Sequence, residues 1–310
     1  MKYFAPVLIP TLNRYTHFKR CVESLSFCTL ADKTDLYIAL DYPSKEEHEN
    51  GYNKIVKYLN KIKGFKSVKI IRRDVNFGAR KNILDARKTI FNSYDRQIFS
   101  EDDNVFAPSF LSFVNNGLEK YENRKDIFSI SGYNNPYSMP SFYKRDVYLR
   151  TGYSAWGVGI WRGKWNMLDW SLSNFKIMLN DKKNYKELKK SYQIELNQLL
   201  TIEETNIIKG DGFIFLYLLD KNMYSIFPVQ TRVRNTGHDG TGVNCHPGES
   251  SYKYMNQQFY EGDHDVYFPP DLLPDAHLIK DILKQVTTPL STRIALLLPR
   301  NLKVWLKKVR

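Results

Sequence analysis

Three consecutive acidic residues, Glu101, Asp102 and Asp103, directly follow the short apolar stretch Arg96–Ser100. Carboxylate oxygens are the ligands that Mg²⁺ and Mn²⁺ prefer, and one or two suffice when phosphate oxygens complete the coordination. A dication held in this way neutralises the charge that a departing diphosphate gains. Unit charges about 4 Å apart interact by ~4 kcal/mol at an effective dielectric constant of about 20. The triplet therefore predicts a site for a divalent cation and a diphosphate.

The alternative is that the acids cap the helix expected to begin near Pro108, because negative charge is favourable at a helix N-terminus.

The elements that must position this triplet alternate between strands and helices over the first 131 residues. Continuous apolar strands separated by amphipathic stretches are typical of a parallel sheet that helices cover on both faces. We therefore expect an α/β fold with a Rossmann-like, mostly parallel sheet. The predicted strands are Ala5–Ile9, Asp35–Leu40, Ser67–Arg72, Arg96–Ser100 and Ile127–Ser131, and the predicted helices are His17–Phe27, Glu46–Lys61, Ala79–Phe91 and Ser109–Tyr121. Beyond residue 131 the pattern is less regular, with a polar helical stretch at Leu168–Leu200 and a buried helix at Asp211–Leu219.

Polar segments follow four of these strands. The first strand runs into Pro10–Arg14, the second into Asp41, the third into Asn76–Gly78 and the fourth into the acidic triplet. Ligands bind at the carboxyl ends of the strands in sheets of this kind, so we expect the four segments to form one binding site. The alternative for Asn76–Gly78 alone is an ordinary turn.

The segment Ile98–Phe110, which contains the triplet, resembles the metal-binding DxD segment of glycosyltransferases with the GT-A fold. The resemblance continues through Ile130–Asn134, Arg150–Trp161 and Asn235–Gly242, and covers roughly residues 3–247 in the family's order. The chain is similar to bacterial polysaccharide glycosyltransferases related to family 2, sometimes labelled haemolysin-like, and to eukaryotic N-acetylglucosaminyltransferase I. The resemblance implies a GT-A domain that transfers a sugar from a nucleotide diphosphate donor.

The resemblance also implies roles for the polar segments. Asp103 would ligate Mn²⁺ or Mg²⁺, while Glu101 and Asp102 would contact the ribose or the donor sugar. Asp41 would hydrogen-bond the base or the ribose, and Gly78 would let the backbone approach a phosphate at a helix N-terminus. The full set of implied nucleotide-binding residues is Pro10, Thr11, Arg14, Asp41, Asn76, Gly78 and Arg80.

Asp211 stands at the place where the family has its general base, after the Trp-Gly segment. In an inverting transfer this carboxylate takes the acceptor hydroxyl proton while the anomeric carbon is attacked. The alternatives are an N-capping role for Asp211 and a base supplied by Asp169, Glu203 or Glu204.

Aromatic residues and a loop rich in Gly and His complete the candidate site. Trp156 lies in a Gly-rich stretch and is predicted to stack on the donor sugar, whereas Trp161 is predicted to be core. Relatives place a His near the metal at a position that falls on Asn244 here, so His238 or His246 would compensate as a metal ligand. Arg232 or Arg234 would bind phosphate. The alternative for each His is a solvated loop residue.

The basic charge of the chain predicts anionic partners. The formal net charge is +13, and residues 54–90 hold twelve Lys and Arg against two Asp. A basic amphipathic appendage is expected at 271–310 after a catalytic domain at 1–270. Its end, Thr292–Arg310, suits an interfacial helix on anionic lipid, with packing onto the domain as the alternative. No apolar run is long enough to span a bilayer and the three cysteines show no paired spacing, so we expect a cytoplasmic protein, peripheral to the inner face of the cell membrane.

Taken together, these features predict a metal-dependent, inverting transfer of a hexosyl or N-acetylhexosaminyl group from a UDP-sugar to a glycan or lipid-linked acceptor in surface polysaccharide synthesis. A catalytically inactive sugar- or nucleotide-binding relative is the first alternative. A nucleic-acid-binding protein is the second, but no helix-turn-helix, RNA-recognition or zinc pattern is present, so we expect no nucleic-acid partner. A nucleotidyltransferase would need a Gly-rich, Lys-bearing loop where this chain has Pro10–Arg14.

Overall fold

The computed structural model describes residues 3–168, 170, 210–242, 253–262 and 266–285. Over these residues the strands form one eight-stranded sheet and a separate two-stranded ribbon. The strands are β1 Val7–Thr11, β2 Asp35–Leu40, β3 Ser67–Arg72, β4 Arg96–Phe99, β5 Asn104–Phe106, β6 Ile127–Ser131, β7 Val147–Arg150, β8 Val158–Trp161, β9 Tyr224–Pro228 and β10 Val233–Asn235. The helices are α1 Tyr15–Ser26, α2 Glu46–Leu59, α3 Gly78–Phe91, α4 Phe110–Lys120, α5 Arg162–Asn166, α6 Gly210–Asp220 and α7 Ala276–Lys284. The predictions for Asp169, Glu203, Glu204, Asn244, His246 and the tail beyond Gln285 concern residues outside this description.

The large sheet has the strand order β3-β2-β1-β4-β8-β6-β9-β7. Strands β3, β2, β1 and β4 are parallel to one another, and β9 is parallel to β6. Strand β8 is antiparallel to both of its neighbours, β4 and β6, and β7 is antiparallel to β9. The mostly parallel α/β fold predicted from the sequence is therefore confirmed.

Helices cover the sheet on both faces because its strands bury side chains in both directions. Along β1, Val7 and Ile9 belong to the core cluster that includes residues of α1, α2 and α4, whereas Leu8 belongs to the cluster that includes α3. Helix α1 directs Phe18, Cys21, Val22 and Leu25 into the first cluster, at the three- and four-residue spacing of an amphipathic helix. The predicted buried helix at Asp211–Leu219 is confirmed as α6, which carries Phe213, Ile214 and Leu218 into a third cluster.

Two details of the predicted fold are wrong, and one alternative is excluded. Strand β3 is not buried on both faces, because it is an edge strand and leaves Ile70 40% exposed. The alternative that the acidic triplet caps the helix near Pro108 is excluded, because β5 intervenes before α4, which itself lies within one residue of its predicted bounds. Asn235 is not the start of a pure loop, because it ends β10, which pairs antiparallel with β5.

The described beginning of the predicted appendage packs onto the domain. Leu272 is fully buried in the main core cluster, and Leu278 and Ile282 of α7 pack with Tyr148 and Phe227 of the sheet. The two alternatives for Thr292–Arg310 concern residues outside those that the structure describes. Among the described helices none is both long and apolar enough to span a bilayer.

Candidate active site at the carboxyl ends of the strands

The acidic triplet lies in the turn between β4 and β5, at the carboxyl end of the parallel strands. Thr11, the last residue of β1, and Arg14, which precedes α1, hold the triplet from the side. The hydroxyl of Thr11 donates a hydrogen bond to Asp102 Oδ2 at 2.7 Å, and Arg14 Nη1 donates to Asp103 Oδ2 at 2.7 Å. The structure therefore brings the first and fourth polar segments together, as the parallel order β1-β4 requires.

Glu101, the first residue of the triplet, is bound by Trp156. The indole Nε1 donates to Glu101 Oε2 at 2.8 Å. The indole ring meets Tyr133 edge-on with 4.7 Å between ring centroids and His238 edge-on with 5.7 Å. Because β8 pairs with β4, the segment before β8 places Trp156 beside the triplet. Trp161, at the end of β8, is 6% exposed and donates its Nε1 to the carbonyl of Leu118, which confirms the prediction that it is core.

Asp103 is held on its second side by the chain around β10. Asn235 Nδ2 donates to Asp103 Oδ1 at 2.7 Å, and both the amide and the hydroxyl of Thr236 donate to the Asp103 carbonyl. A Cβ atom at Gly237 would overlap Asp103 Oδ2, so only glycine allows this close approach. The sequence assigns no role to Asn235, since an Asn before a Gly-rich stretch is typical of a turn. Only the pairing of β10 with β5 brings it to the acid.

Nearby positive groups do not fully compensate the negative charges of the carboxylates in this cluster. Burial, reinforced by the neighbouring charges of Asp103 and Asp211, raises the pKa of Glu101 to about 8. Burial and the charge of Asp103 raise the pKa of Asp102 to about 7, against the opposing effects of Thr11 and Arg14. A group whose charged form is disfavoured in this way is stabilised by an incoming cation.

These acids fit a hard divalent cation that is bound together with phosphate. Over the described parts of the chain, no three His, Cys, Asp or Glu side chains converge as a complete metal-binding group. A dication here would take Asp103 as its carboxylate ligand and complete its coordination with phosphate oxygens and water. Asp103 Oδ2 already faces a positive group in this structure, the guanidinium of Arg14 at 2.7 Å, so the carboxylate of Asp103 would fit a cation.

Asp211 lies in the first turn of α6, beside the segment that carries Trp156. Its Oδ2 accepts a hydrogen bond from the amide of Ala155 at 3.0 Å. Burial raises the pKa of Asp211 to about 6, while that hydrogen bond and the charge of Arg87 act in the opposite direction. The structure thus places the predicted base close enough to Glu101 for its charge to contribute to the raised pKa of that residue.

His238 lies at the rim of the cluster. Its ring stacks on Tyr254 with 5.0 Å between centroids, and burial lowers its pKa while the charge of Asp103 acts in the opposite direction. The next residue, Asp239, has Oδ2 at 3.0 Å from His17 Nε2 and Oδ1 at 3.8 Å from Arg14 Nη2. His17 and Asp239 carry no motif that reveals this contact, which exists only because the β10 loop folds over α1.

The second and third polar segments meet each other at the ends of β2 and β3. Asp41 Oδ1 accepts from the amides of Tyr42 and Phe77, and Asn76 Nδ2 donates to the carbonyl of Tyr42. Gly78 has φ +71°, and a Cβ atom added to it would meet no other atom within 4 Å, so the start of α3 is open. An open cavity of about 700 Å³ adjoins it, lined by Phe77, Gly78, Ala79, Arg80, Lys81, Leu84, Asp85 and Lys88. In the part of the chain described, no hydrogen bond or ion pair joins these residues to the triplet.

The prediction that Arg232 binds phosphate is wrong. This residue is 2% exposed, and its guanidinium lies 4.1 Å from the ring centroid of Phe113 and 4.6 Å from that of Tyr260. Arg234 lies over Phe259 at 4.8 Å. Side chains alternate along a strand, so Arg234 of β10 points away from the face on which Asn235 reaches Asp103.

The sequence matches no family model and no curated protein. Among solved structures, the chain is similar to a mannosyltransferase from Pyrobaculum calidifontis in complex with GDP-Man and Mn²⁺, with a TM-score of 0.36 and 11% identity over 53% of this chain and 46% of that one. It is also similar to TarS from S. aureus, with a TM-score of 0.34 and 13% identity over 51% of this chain and 28% of that one. For TarS 1-349 the TM-score and identity are the same and the coverage of that chain is 47%. The chain thus spans less than half the length of each of these proteins.

Proposed function

We propose that this chain is a metal-dependent, inverting glycosyltransferase that moves a hexosyl or N-acetylhexosaminyl group from a UDP-sugar to a glycan or lipid-linked acceptor of a surface polysaccharide. The observation that carries the proposal is the cluster of Glu101, Asp102, Asp103 and Asp211 beside Arg14, at the carboxyl ends of β1 and β4. At 11% identity and a TM-score of 0.36, the likeness to the mannosyltransferase does not extend to donor or metal, so the side chains alone support the proposal.

The donor diphosphate is bound by Arg14 and by a dication on Asp103. In the part of the chain described, Arg14 Nε is buried without a hydrogen-bond partner and Nη2 has only the 3.8 Å ion pair with Asp239, so both can bind phosphate oxygens. Bound Mn²⁺ or Mg²⁺ supplies Lewis-acid stabilisation of the diphosphate leaving group. Thr11 and Pro10 line the same end of β1, while Asp41, Asn76, Gly78 and Arg80 form the part of the pocket that takes the nucleoside.

The donor sugar lies between the acids and the acceptor. Glu101 and Asp102 accept hydrogen bonds from the hydroxyl groups of the donor sugar. Trp156, whose indole Nε1 donates to Glu101, stacks its ring on the sugar. His238 closes over the diphosphate from the β10 loop and is the further candidate for a metal ligand among the described residues, with His246 beyond them.

Asp211 acts as the general base. A carboxylate with a pKa of about 6 is largely ionised at neutral pH and still basic enough to accept a proton, which matches the requirement for efficient proton transfer. It removes the proton of the acceptor hydroxyl as that oxygen forms its bond to the anomeric carbon. The bond from the anomeric carbon to the diphosphate oxygen breaks on the opposite face, so the configuration inverts.

The location of the protein follows from its acceptor. We propose the cytoplasmic face of the cell membrane, because a lipid-linked acceptor would lie there and the basic, amphipathic Thr292–Arg310 suits anionic lipid.

The test is a thermal-shift screen of UDP-, GDP-, dTDP- and CMP-sugars with and without Mn²⁺, followed by a transfer assay with the donor found. A donor at about 100 times its Kd stabilises the folded state by about 2.7 kcal/mol, and we expect this shift only when Mn²⁺ is present. Arg14→Met and Asp103→Asn should lose the shift.

The Arg124–Asp126 pair, at 2.8 Å, is a matched control for the Arg14–Asp103 pair at 2.7 Å. Arg124→Met and Asp126→Asn should keep the full ligand shift. A shift that is independent of metal, or that persists in Asp103→Asn, would contradict the proposed site. Binding without any turnover would identify the chain as an inactive relative.

A further inference from the structure

A chain of buried hydrogen bonds ends on the carboxylate of Asp103. Asn235 Nδ2 donates to Asp103 Oδ1 at 2.7 Å and to Asn104 Oδ1 at 3.0 Å. Asn104 Nδ2 donates in turn to the hydroxyl oxygen of Ser100 at 2.8 Å, and that hydroxyl donates to the Glu101 carbonyl at 3.1 Å. The side chains of Ser100, Asn104 and Asn235 are each 1% exposed or less. Because water does not replace a lost partner at this depth, each of these polar groups depends on its neighbour in the protein.

These contacts allow only one orientation of the Asn235 amide. Its Oδ1 accepts a hydrogen bond from the Gly237 amide at 2.9 Å, while its Nδ2 faces the two acceptor oxygens of Asp103 and Asn104. A flipped amide would place an oxygen against those two oxygens and an NH₂ group against the N–H of Gly237. Asn235 therefore presents a donor to the carboxylate of Asp103.

The ribbon of β5 and β10 fixes both partners of this contact. Asn235 pairs directly with Asn104 in the antiparallel register, so the two side chains lie on the same face of the ribbon. Backbone hydrogen bonds continue the ribbon beyond both ends of β10, from Thr236 N to the Asp103 carbonyl and from Ala107 N to the Arg232 carbonyl, each at 2.9 Å. Since Asp103 is the residue before β5, its backbone and its carboxylate are both held from β10.

A neutral amide donor suits a carboxylate that has to bind a dication. It fixes the rotation of the carboxylate without supplying a positive charge that would compete with the metal. Oδ1 of Asp103 is bound by Asn235, whereas Oδ2 lies on the side of Arg14, whose Nη1 is 2.7 Å away. Groups that hold a metal ligand from behind in this way contribute about 10- to 100-fold to metal affinity or activity.

We propose that Asn235 is a positioning residue that orients Asp103 for a divalent cation, and that Asn104 sets the orientation of the Asn235 amide. Asn235 touches neither the metal nor the donor, and it acts through Asp103. The inference rests on the proposed function for the metal that Asp103 binds, while the coupling between Asn235 and Asp103 is measurable without metal.

The role toward the metal is tested by thermal unfolding of the full chain in the presence of UDP, with Mn²⁺ as the titrant. The readout is the Mn²⁺ concentration that gives half of the maximal increase in Tm. Asn235→Ala should raise this concentration at least about tenfold, because Asp103 loses the donor that orients it. Asn104→Ala should raise it by a smaller factor, since it removes only the group that orients the amide.

Asn115→Ala is the matched control. Asn115 is 7% exposed and also makes two hydrogen bonds, accepting from Ala5 N at 2.9 Å and donating to the Leu111 carbonyl at 2.8 Å, neither of which involves the acidic cluster. It should lower Tm and leave the half-maximal Mn²⁺ concentration within about twofold of the wild type. A rise of less than about tenfold in Asn235→Ala, or an equal rise in Asn115→Ala, overturns the inference. If Asn235→Ala does not fold, Asn235→Ser is measured against the same criterion.

The coupling is tested without metal, by urea unfolding in EDTA of Asn235→Ala, Asp103→Ala and the double variant. Because Asp103→Ala removes the acceptor, the unfolding constant of the double variant should differ at least about fivefold from the value that additive single effects give. Additive effects overturn the inference even if the wild type binds Mn²⁺ and transfers sugar. Coupling in a chain that binds Mn²⁺ with UDP but transfers no sugar supports the inference and contradicts the proposed function. A wild type without any Mn²⁺-dependent shift contradicts both.

Discussion

The raised pKa of Glu101 makes a quantitative prediction about stability. In the folded protein without metal, Glu101 keeps its proton up to about pH 8, whereas the unfolded chain releases it near the ordinary value of 4.5. Between these pH values the folded state binds the extra proton, so the stability contributed by this group falls as pH rises. Glu101→Gln cannot titrate, and its amide oxygen can still accept the hydrogen bond from Trp156. The variant should therefore be more stable than the wild type above about pH 8 and nearly equal to it near pH 5.

The magnitude follows from the pKa difference of about 3.5. At about 1.4 kcal/mol for each pKa unit, the full cost of ionising Glu101 would be about 5 kcal/mol. Part of the rise in the pKa of Glu101 comes from the charges of Asp103 and Asp211. The Glu101 side chain is also only half-buried, so water screens its charge, and we expect a stability difference of about 2–3 kcal/mol. For a chain of this size that corresponds to an increase in Tm of about 5 °C.

The assay is thermal and urea unfolding in EDTA at pH 5.0 and pH 8.5. Glu23→Gln is the control, because Glu23 is exposed and forms only a surface pair with Lys19 at 3.6 Å, so it should change Tm by less than about 1 °C at either pH. An equal effect of Glu101→Gln at both pH values, or a loss of stability at pH 8.5, would refute the reasoning that an uncompensated negative charge is held in this turn.

Four further outcomes test the site and the tail. Asp103→Ala should abolish the Mn²⁺-dependent thermal shift by the donor, and a retained shift would exclude this residue as the metal ligand. Asp211→Asn should lower kcat by at least about 10²-fold with the fold intact, whereas near-normal turnover would remove it from the mechanism. Gly237→Ala should weaken metal-dependent donor binding about tenfold because its methyl group would overlap the Asp103 carboxylate, while Gly163→Ala, which has open space around it, should bind as the wild type does. Deletion of 290–310 should reduce sedimentation with anionic vesicles, and unchanged partitioning would reject a membrane role for the tail.

The sequence by itself determined those strands and helices whose buried apolar residues recur at a regular local spacing. Strands β1 and β2 and helices α1, α2 and α3 lie within a few residues of their predicted bounds, since their apolar spacing fits only one way of burying them. It also determined where the candidate site lies, because polar residues at the carboxyl ends of parallel strands meet at one edge of the sheet. Thr11, Arg14 and the acidic triplet do meet there.

The tertiary structure alone decided which distant residues complete that site and which do not. Asn235 and Trp156 reach the acids because β10 pairs with β5 and β8 pairs with β4, both antiparallel and over long separations in the chain. Arg87 and Arg232 are buried by packing against aromatic rings, although nothing in their neighbouring residues distinguishes them from surface arginines. The physical reason is that local periodicity determines which face of an element is buried, whereas the partner of a buried charge depends on contacts between elements that the periodicity does not encode.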